Sequence, residues 1–137
     1  MTQEDKQLLL KDLCARLPYG VKVESVFINT DTKKRKSCGI EVFDATCILM
    51  IRDGFGEFKP YLFPLSSITE GQKDQISQLL LDTKIEFPPY EEDYANLLVN
   101  SIKQSNALIN YCLANHFDIN SLIEEGLAID ATGLNIY

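Results

Sequence analysis

A chain of 137 residues, 45% hydrophobic and 24% charged, is long enough to bury one core and too apolar to stay disordered. Its formal charge of −7, thirteen Lys and Arg against twenty Asp and Glu, argues against a surface that wraps nucleic acid as a whole. The first residues, MTQEDKQ, are polar and acidic and no apolar run is long enough for a membrane span, so a cytoplasmic protein is expected.

Thr2 opens a capping-box-like TQED. Leu10, Leu13, Cys14 and Leu17 then share one helical face, with Lys6, Lys11 and Asp12 on the solvated side. Pro18-Tyr19-Gly20 predicts the end of this helix. From Val21 the period changes to two, with Val21, Val23, Ser25 and Phe27 on one side and Lys22, Glu24, Val26 and Ile28 on the other. The polar run NTDTKKRKS reads as a hairpin tip. SCGIEVF and TCILMI follow as two further strands joined by a turn at Asp44-Ala45. That register sets Val42 opposite Cys47, Ile40 opposite Leu49 and Cys38 opposite Ile51 on one apolar face. Arg52-Asp53-Gly54 is another turn signal, and FGEF a short last strand.

The stretch from Phe58 to Gln72, FKPYLFPLSSITEGQ, divides the strand-like part from the helical part. Pro60 and Pro64 fix their own φ and push Lys59 and Phe63 out of the α region, which predicts an edge strand or a crossing segment. Tyr61 and Leu62 are expected to be buried there. Thr69 with Gln72 fits a capping box for a helix reaching about Asp82, with Gln72, Ile76, Leu79, Leu80 and Thr83 on one face. KIEFPPYEED reads as a loop containing Pro88-Pro89 and the acidic triplet Glu91, Glu92 and Asp93. The helical pattern resumes at Tyr94, Leu97, Leu98 and Ile102 and strengthens at Leu108, Tyr111 and Cys112. Asp118 is an N-cap candidate for a short helix stopped by Gly126, and LNIY a short strand or extended arm. The expected architecture is a single α+β domain over residues 1–137. It has an N-terminal helix, a small antiparallel sheet or partial barrel of about 3–5 strands, then three or four helices. The sheet-rich part is about 19–65 and the helical part about 69–131.

Little in the chain carries chemistry. The four cysteines, Cys14, Cys38, Cys47 and Cys112, have no CxxC spacing and read as small packed hydrophobes, not zinc ligands. Cys112 and His116 stand four apart, a spacing that suits a thiol–imidazole pair, but His116 falls at a helix end, where it serves the last carbonyls. No glycine-rich phosphate loop is present, and the contiguous Glu91-Glu92-Asp93 lacks the alternation of a calcium loop. No catalytic residue, metal or cofactor is expected.

One concentrated positive feature stands out. Lys33, Lys34, Arg35 and Lys36 are four adjacent cations able to contact phosphates, although no aromatic interleaves them. Residues 1–60 hold ten Lys and Arg against nine Asp and Glu, whereas residues 61–137 hold three against eleven. The leading expectation is therefore a non-enzymatic protein-interaction or regulatory module with its acidic helical half as partner surface. Nucleic-acid binding through the 33–36 loop is the alternative.

Three stretches carry a resemblance: LLLKDLCARLPYGVKV, KPYLFPLSSITE and NHFDINSLIEEGLAID. In this order they resemble short open reading frames, without an assigned activity, of gut Bacteroides genomes and their phages and mobile elements. Residues 24–56 are the variable part. That pattern usually has a basic residue where Phe63 stands, a carboxylate where Gly71 stands and a Trp where Tyr111 stands. The resemblance implies a bacterial or phage origin and one shared fold, and it implies no site residue.

Overall fold

The structure, a computed structural model, describes residues 2–82 and 105–137. Helix α1, Gln3–Ala15, starts at Thr2, whose hydroxyl accepts from the Asp5 amide at 3.0 Å while the Asp5 carboxylate accepts from the Thr2 amide at 3.1 Å. This reciprocal box satisfies two amides that a helix start otherwise leaves open. A 3₁₀ turn, Leu17–Tyr19, and Gly20 in the left-handed region close it. The buried face differs from the expected one. Leu9, Asp12, Leu13 and Arg16 point inward, whereas Cys14 is exposed. Asp12 and Arg16 are an i,i+4 pair that neutralises itself, so both enter the core although each alone reads as a surface charge.

Strand β1, Lys22–Ile28, pairs antiparallel with β2, Arg35–Val42, and with β3, Gly56–Leu62. Val21, Val23 and Ser25 face the core, as the alternation requires. The segment after β2 corrects the expected third strand. TCILMI lies in helix α2, Ala45–Asp53, so the partners proposed for Val42, Ile40 and Cys38 do not pair. Periodicity cannot separate strand from helix in a short run such as Cys47 to Ile51, where every position is apolar. The ends decide it. Asp44 is an N-cap whose carboxylate accepts from the Cys47 amide at 3.2 Å, and Gly54 is a left-handed stop.

Strand β3 passes through Pro60, which is fully buried opposite Val23. The Ile28 amide donates to the Phe55 carbonyl, and the alternation of the ladder then turns position 60 away from β1, so the missing proline amide breaks no rung. Tyr61 and Leu62 are buried, as expected. Beyond them β4, Ile129–Asp130, pairs parallel with β3. The sheet is thus mixed, not purely antiparallel, with order β2-β1-β3-β4.

A second 3₁₀ turn, Leu65–Ser67, leads to helix α3, Glu70–Asp82. Its start carries the expected box: the Gln72 amide donates to the Thr69 hydroxyl at 3.2 Å, and the Thr69 amide to the Gln72 side chain at 3.0 Å. Helix α4, Asn106–Ala114, is capped by Ser105. The loop with Pro88-Pro89, the triplet Glu91, Glu92 and Asp93, and the helical pattern from Tyr94 to Ile102 lie outside the described residues. No short helix follows Asp118. Its buried carboxylate instead accepts from the amides of Asn120, Leu122 and Ile123, holding residues 122–126 as turns. The LNIY tail pairs with no strand among the described residues.

Two apolar clusters result. The larger joins Leu13, Val23, Phe43, Phe58, Leu62 and Leu122 beneath the sheet, with Phe43 and Phe58 edge to face at 5.9 Å. The smaller joins Ile68, Ile76, Leu108, Cys112 and Phe117. Between them runs the junction of β3 with the chain after α4, where the Phe63 amide donates to the His116 carbonyl and the Asp118 amide to the Phe63 carbonyl.

Candidate interaction surface at the sheet edge

All eight residues of β2 are exposed. The strand is the outer one of the sheet, and no described residue pairs with its far side. Two hydrogen bonds fix which of its backbone groups look outward. At one end the Phe43 amide donates to the Val21 carbonyl at 2.9 Å; at the other the Asn29 amide donates to the Lys34 carbonyl at 2.9 Å. In an antiparallel ladder alternate residues bond to the neighbour, so Glu41 and Lys36 bond toward β1. Ile40 and Val42, and on the other side Arg35 and Ser37, direct their amides and carbonyls away from the sheet. Ile40 and Val42 are also 54% and 51% exposed, an apolar pair on the uncovered face.

A β-bulge divides these two sets. Ser25 pairs with Gly39 but Val26 with Ser37, leaving Cys38 as the extra residue, and Gly39 takes φ 84°. The bulge inverts the odd–even relation of the strand. Lys36 and Glu41 lie on the same face of the sheet, as do Arg35, Ser37, Ile40 and Val42 on the other.

The basic run lies at the start of this edge. Asn29 holds the turn through its side-chain oxygen, which accepts from the Asp31 amide at 2.9 Å and the Thr32 amide at 3.1 Å, and Lys33 sits at φ 60°. Lys33, Lys34, Arg35 and Lys36 are all exposed. Arg35 is engaged: its guanidinium reaches over β1 to the Glu57 carboxylate, with Nη1 at 3.0 Å. Lys33, Lys34 and Lys36 have no acidic partner among the described residues.

The acidic half shows no comparable surface in the described part. Glu70 pairs with Lys73, Asp118 is buried in its turn, and Asp74, Glu124, Glu125 and Asp130 are exposed on separate segments. Glu86, Glu91, Glu92 and Asp93 lie outside the described residues.

Cys112 and His116 do not make an activated pair. Cys112 is fully buried, and burial pushes its thiol up to about 12. His116 follows α4 in the left-handed region, φ 61°, and burial, then the charges of Arg16 and Lys22, push its imidazole down to about 4. Near neutral pH the thiol keeps its proton and the ring is neutral, whereas nucleophilic attack needs a thiolate. The ring stacks on Tyr137 at 3.7 Å, and its Nδ1 is buried with no hydrogen-bond partner among the described residues. It borders a 400 Å³ cleft with Phe63, Thr69, Gln72 and Asn115. The Tyr137 hydroxyl meanwhile donates to the Tyr61 carbonyl at 2.7 Å and accepts from the Lys22 amide at 2.9 Å, standing in for the rung that β1 and β3 lack there.

Among the described residues no cluster of three His, Cys, Asp or Glu side chains is placed to hold a metal ion, and no helix is long and apolar enough to cross a membrane. The edge of β2 was not legible as a site. Its one sequence signal is Gly39 within an otherwise strand-like SCGIEV, which marks a bulge. No protein-family model matches the chain, and no curated protein or solved structure matches it either.

Proposed function

We propose that this chain is a non-enzymatic protein-interaction module of a bacterial or phage cytoplasm that takes up a strand of its partner on the free edge of β2. One observation carries the reading: an eight-residue strand, exposed throughout, offers outward amides and carbonyls flanked by the exposed Ile40 and Val42. Main-chain bonding along such an edge supplies affinity, and the alternate side chains supply choice of partner. Nucleic-acid binding by Lys33, Lys34 and Lys36 is a second reading, favoured by their lack of acidic partners among the described residues but weakened because Arg35 is held by Glu57.

Affinity capture from bacterial lysate, with and without nuclease, tests both. Ile40→Lys with Val42→Lys places charge on the edge without touching the core, so the melting temperature should stay nearly unchanged. Nuclease-resistant partners should be captured by the parent and lost by the double variant. Capture that survives in the variant rules out the edge; capture that disappears with nuclease favours the basic run.

A further inference from the structure

Resting on the reading of β2 as an interaction edge, we infer that one occupant of that edge is a second copy of this chain, paired antiparallel about a two-fold axis between Cys38 and Gly39. Three features of the strand coincide in this register. First, charge: the strand begins basic, at Lys33, Lys34 and Lys36, and ends acidic, at Glu41 and the exposed Asp44. Antiparallel self-pairing sets each basic end on the other copy's acidic end, whereas parallel pairing would set like on like.

Second, side-chain faces. The register places Lys36 opposite the other copy's Glu41, Ser37 opposite Ile40 and Arg35 opposite Val42. Partners across a ladder must lie on one face of the joint sheet. In a regular strand, residues an odd number apart lie on opposite faces and this register would fail. The extra residue at Cys38 restores it: Lys36 and Glu41 share one face, and Arg35, Ser37, Ile40 and Val42 the other. Registers displaced by one residue put opposite faces together.

Third, backbone polarity. Arg35, Ser37, Ile40 and Val42 are the residues whose amides and carbonyls point outward, and in this register they oppose only one another. About eight main-chain hydrogen bonds are then available. Lys36 and Glu41 fall at the non-bonded positions, where side chains approach most closely. The contact is isologous, so each Lys36–Glu41 pair occurs twice. Glu41 already accepts from the Cys47 thiol at 3.6 Å, which orients its carboxylate on the core-facing side.

Sedimentation velocity across a dilution series of the intact chain tests the inference. A reversible dimer is expected. Lys36→Glu alone, and Glu41→Lys alone, should each weaken it about tenfold or more, because every substitution creates two like-charge pairs. The double swap Lys36→Glu with Glu41→Lys should restore it, an outcome that misfolding or loss of general charge would not produce. A monomer at all concentrations overturns the inference, as does a dimer indifferent to the single substitutions. If a monomer still loses its captured partner on Ile40→Lys with Val42→Lys, self-pairing is wrong and the edge remains an interface for another protein.

Discussion

Arg16 is a whole cationic side chain with no exposed surface, and the groups around it explain how that is tolerated. Its Nε meets Asp12 at 2.7 Å, its Nη2 donates to the Phe117 carbonyl at 2.7 Å, and the Asn120 amide group holds the other Asp12 oxygen at 2.8 Å. Among the described residues Nη1 finds no partner. Asp12→Ala would strand the guanidinium in the core, and a loss of about 3–5 kcal/mol is expected from denaturant unfolding. Adding Arg16→Met should recover much of it, since the pair costs desolvation that an apolar side chain does not. His116 gives a pH signature of its own. The folded chain holds the ring neutral down to about 4, while the unfolded chain takes up a proton below its ordinary 6.5. The unfolded state therefore binds more protons between those values, and stability falls as pH drops through that window. Because the ring is only half-buried, solvent screens part of the effect. Between pH 7 and pH 5 about 1 kcal/mol should be lost. His116→Asn, which tolerates the left-handed backbone, should flatten this slope in urea midpoints measured at the two pH values.

At the scale of elements, α2 shows how local chemistry overrides a pattern. Its nine residues could serve a strand by composition, but Asp44 and Gly54 commit them to a helix. Asp44→Ala should cost about 1 kcal/mol, read as a shift of the unfolding midpoint, and Asp44→Ser should restore most of it. The elements legible in the sequence were those whose periodicity and boundary signals agree: α1 with its Thr2 box and Gly20 stop, α3 with its Thr69 box, and the alternation of β1. Two things were not legible. Asp12 reads as solvated, beside Lys6 and Lys11, because the groups that let it and Arg16 be buried, Phe117 and Asn120, lie about a hundred residues away. The open edge of β2 could not be found while TCILMI stood as its neighbour, since a strand placed there would have covered it. Of the candidate site residues, Lys33, Lys34 and Lys36 are where a hairpin tip and strand start should present them, but the Glu57 contact of Arg35 is set by the β1–β3 register and no local signal announces it.

For the molecule as a whole, β3 is the shared member. Phe58 and Leu62 belong to the larger cluster, and Phe63, one residue on, packs against the smaller. Ala131 donates to the Leu62 carbonyl, and Phe63 exchanges bonds with the chain around Phe117, so the last residues described close over both. This wiring bears on how the chain is made. Helix α1 leaves the ribosome well before Phe117 and Asn120, and it emerges with Arg16 still hydrated. The Phe117 carbonyl and Asn120, which permit that charge to be buried, follow 101 positions after Arg16 and 108 after Asp12. At about 5–20 residues per second, α1 waits on the order of 5–20 s for them. The hairpin of β1 and β2, whose contacts are local, can zip during that interval. The apolar face of α1 can meet Val23, Phe43, Phe58 and Leu62 early. Its Asp12–Arg16 side has neither the Phe117 carbonyl nor Asn120 to dock on until residue 120 has been synthesised, and until then the nascent chain shows its holdases and proteases a core with a charged pair in its wall.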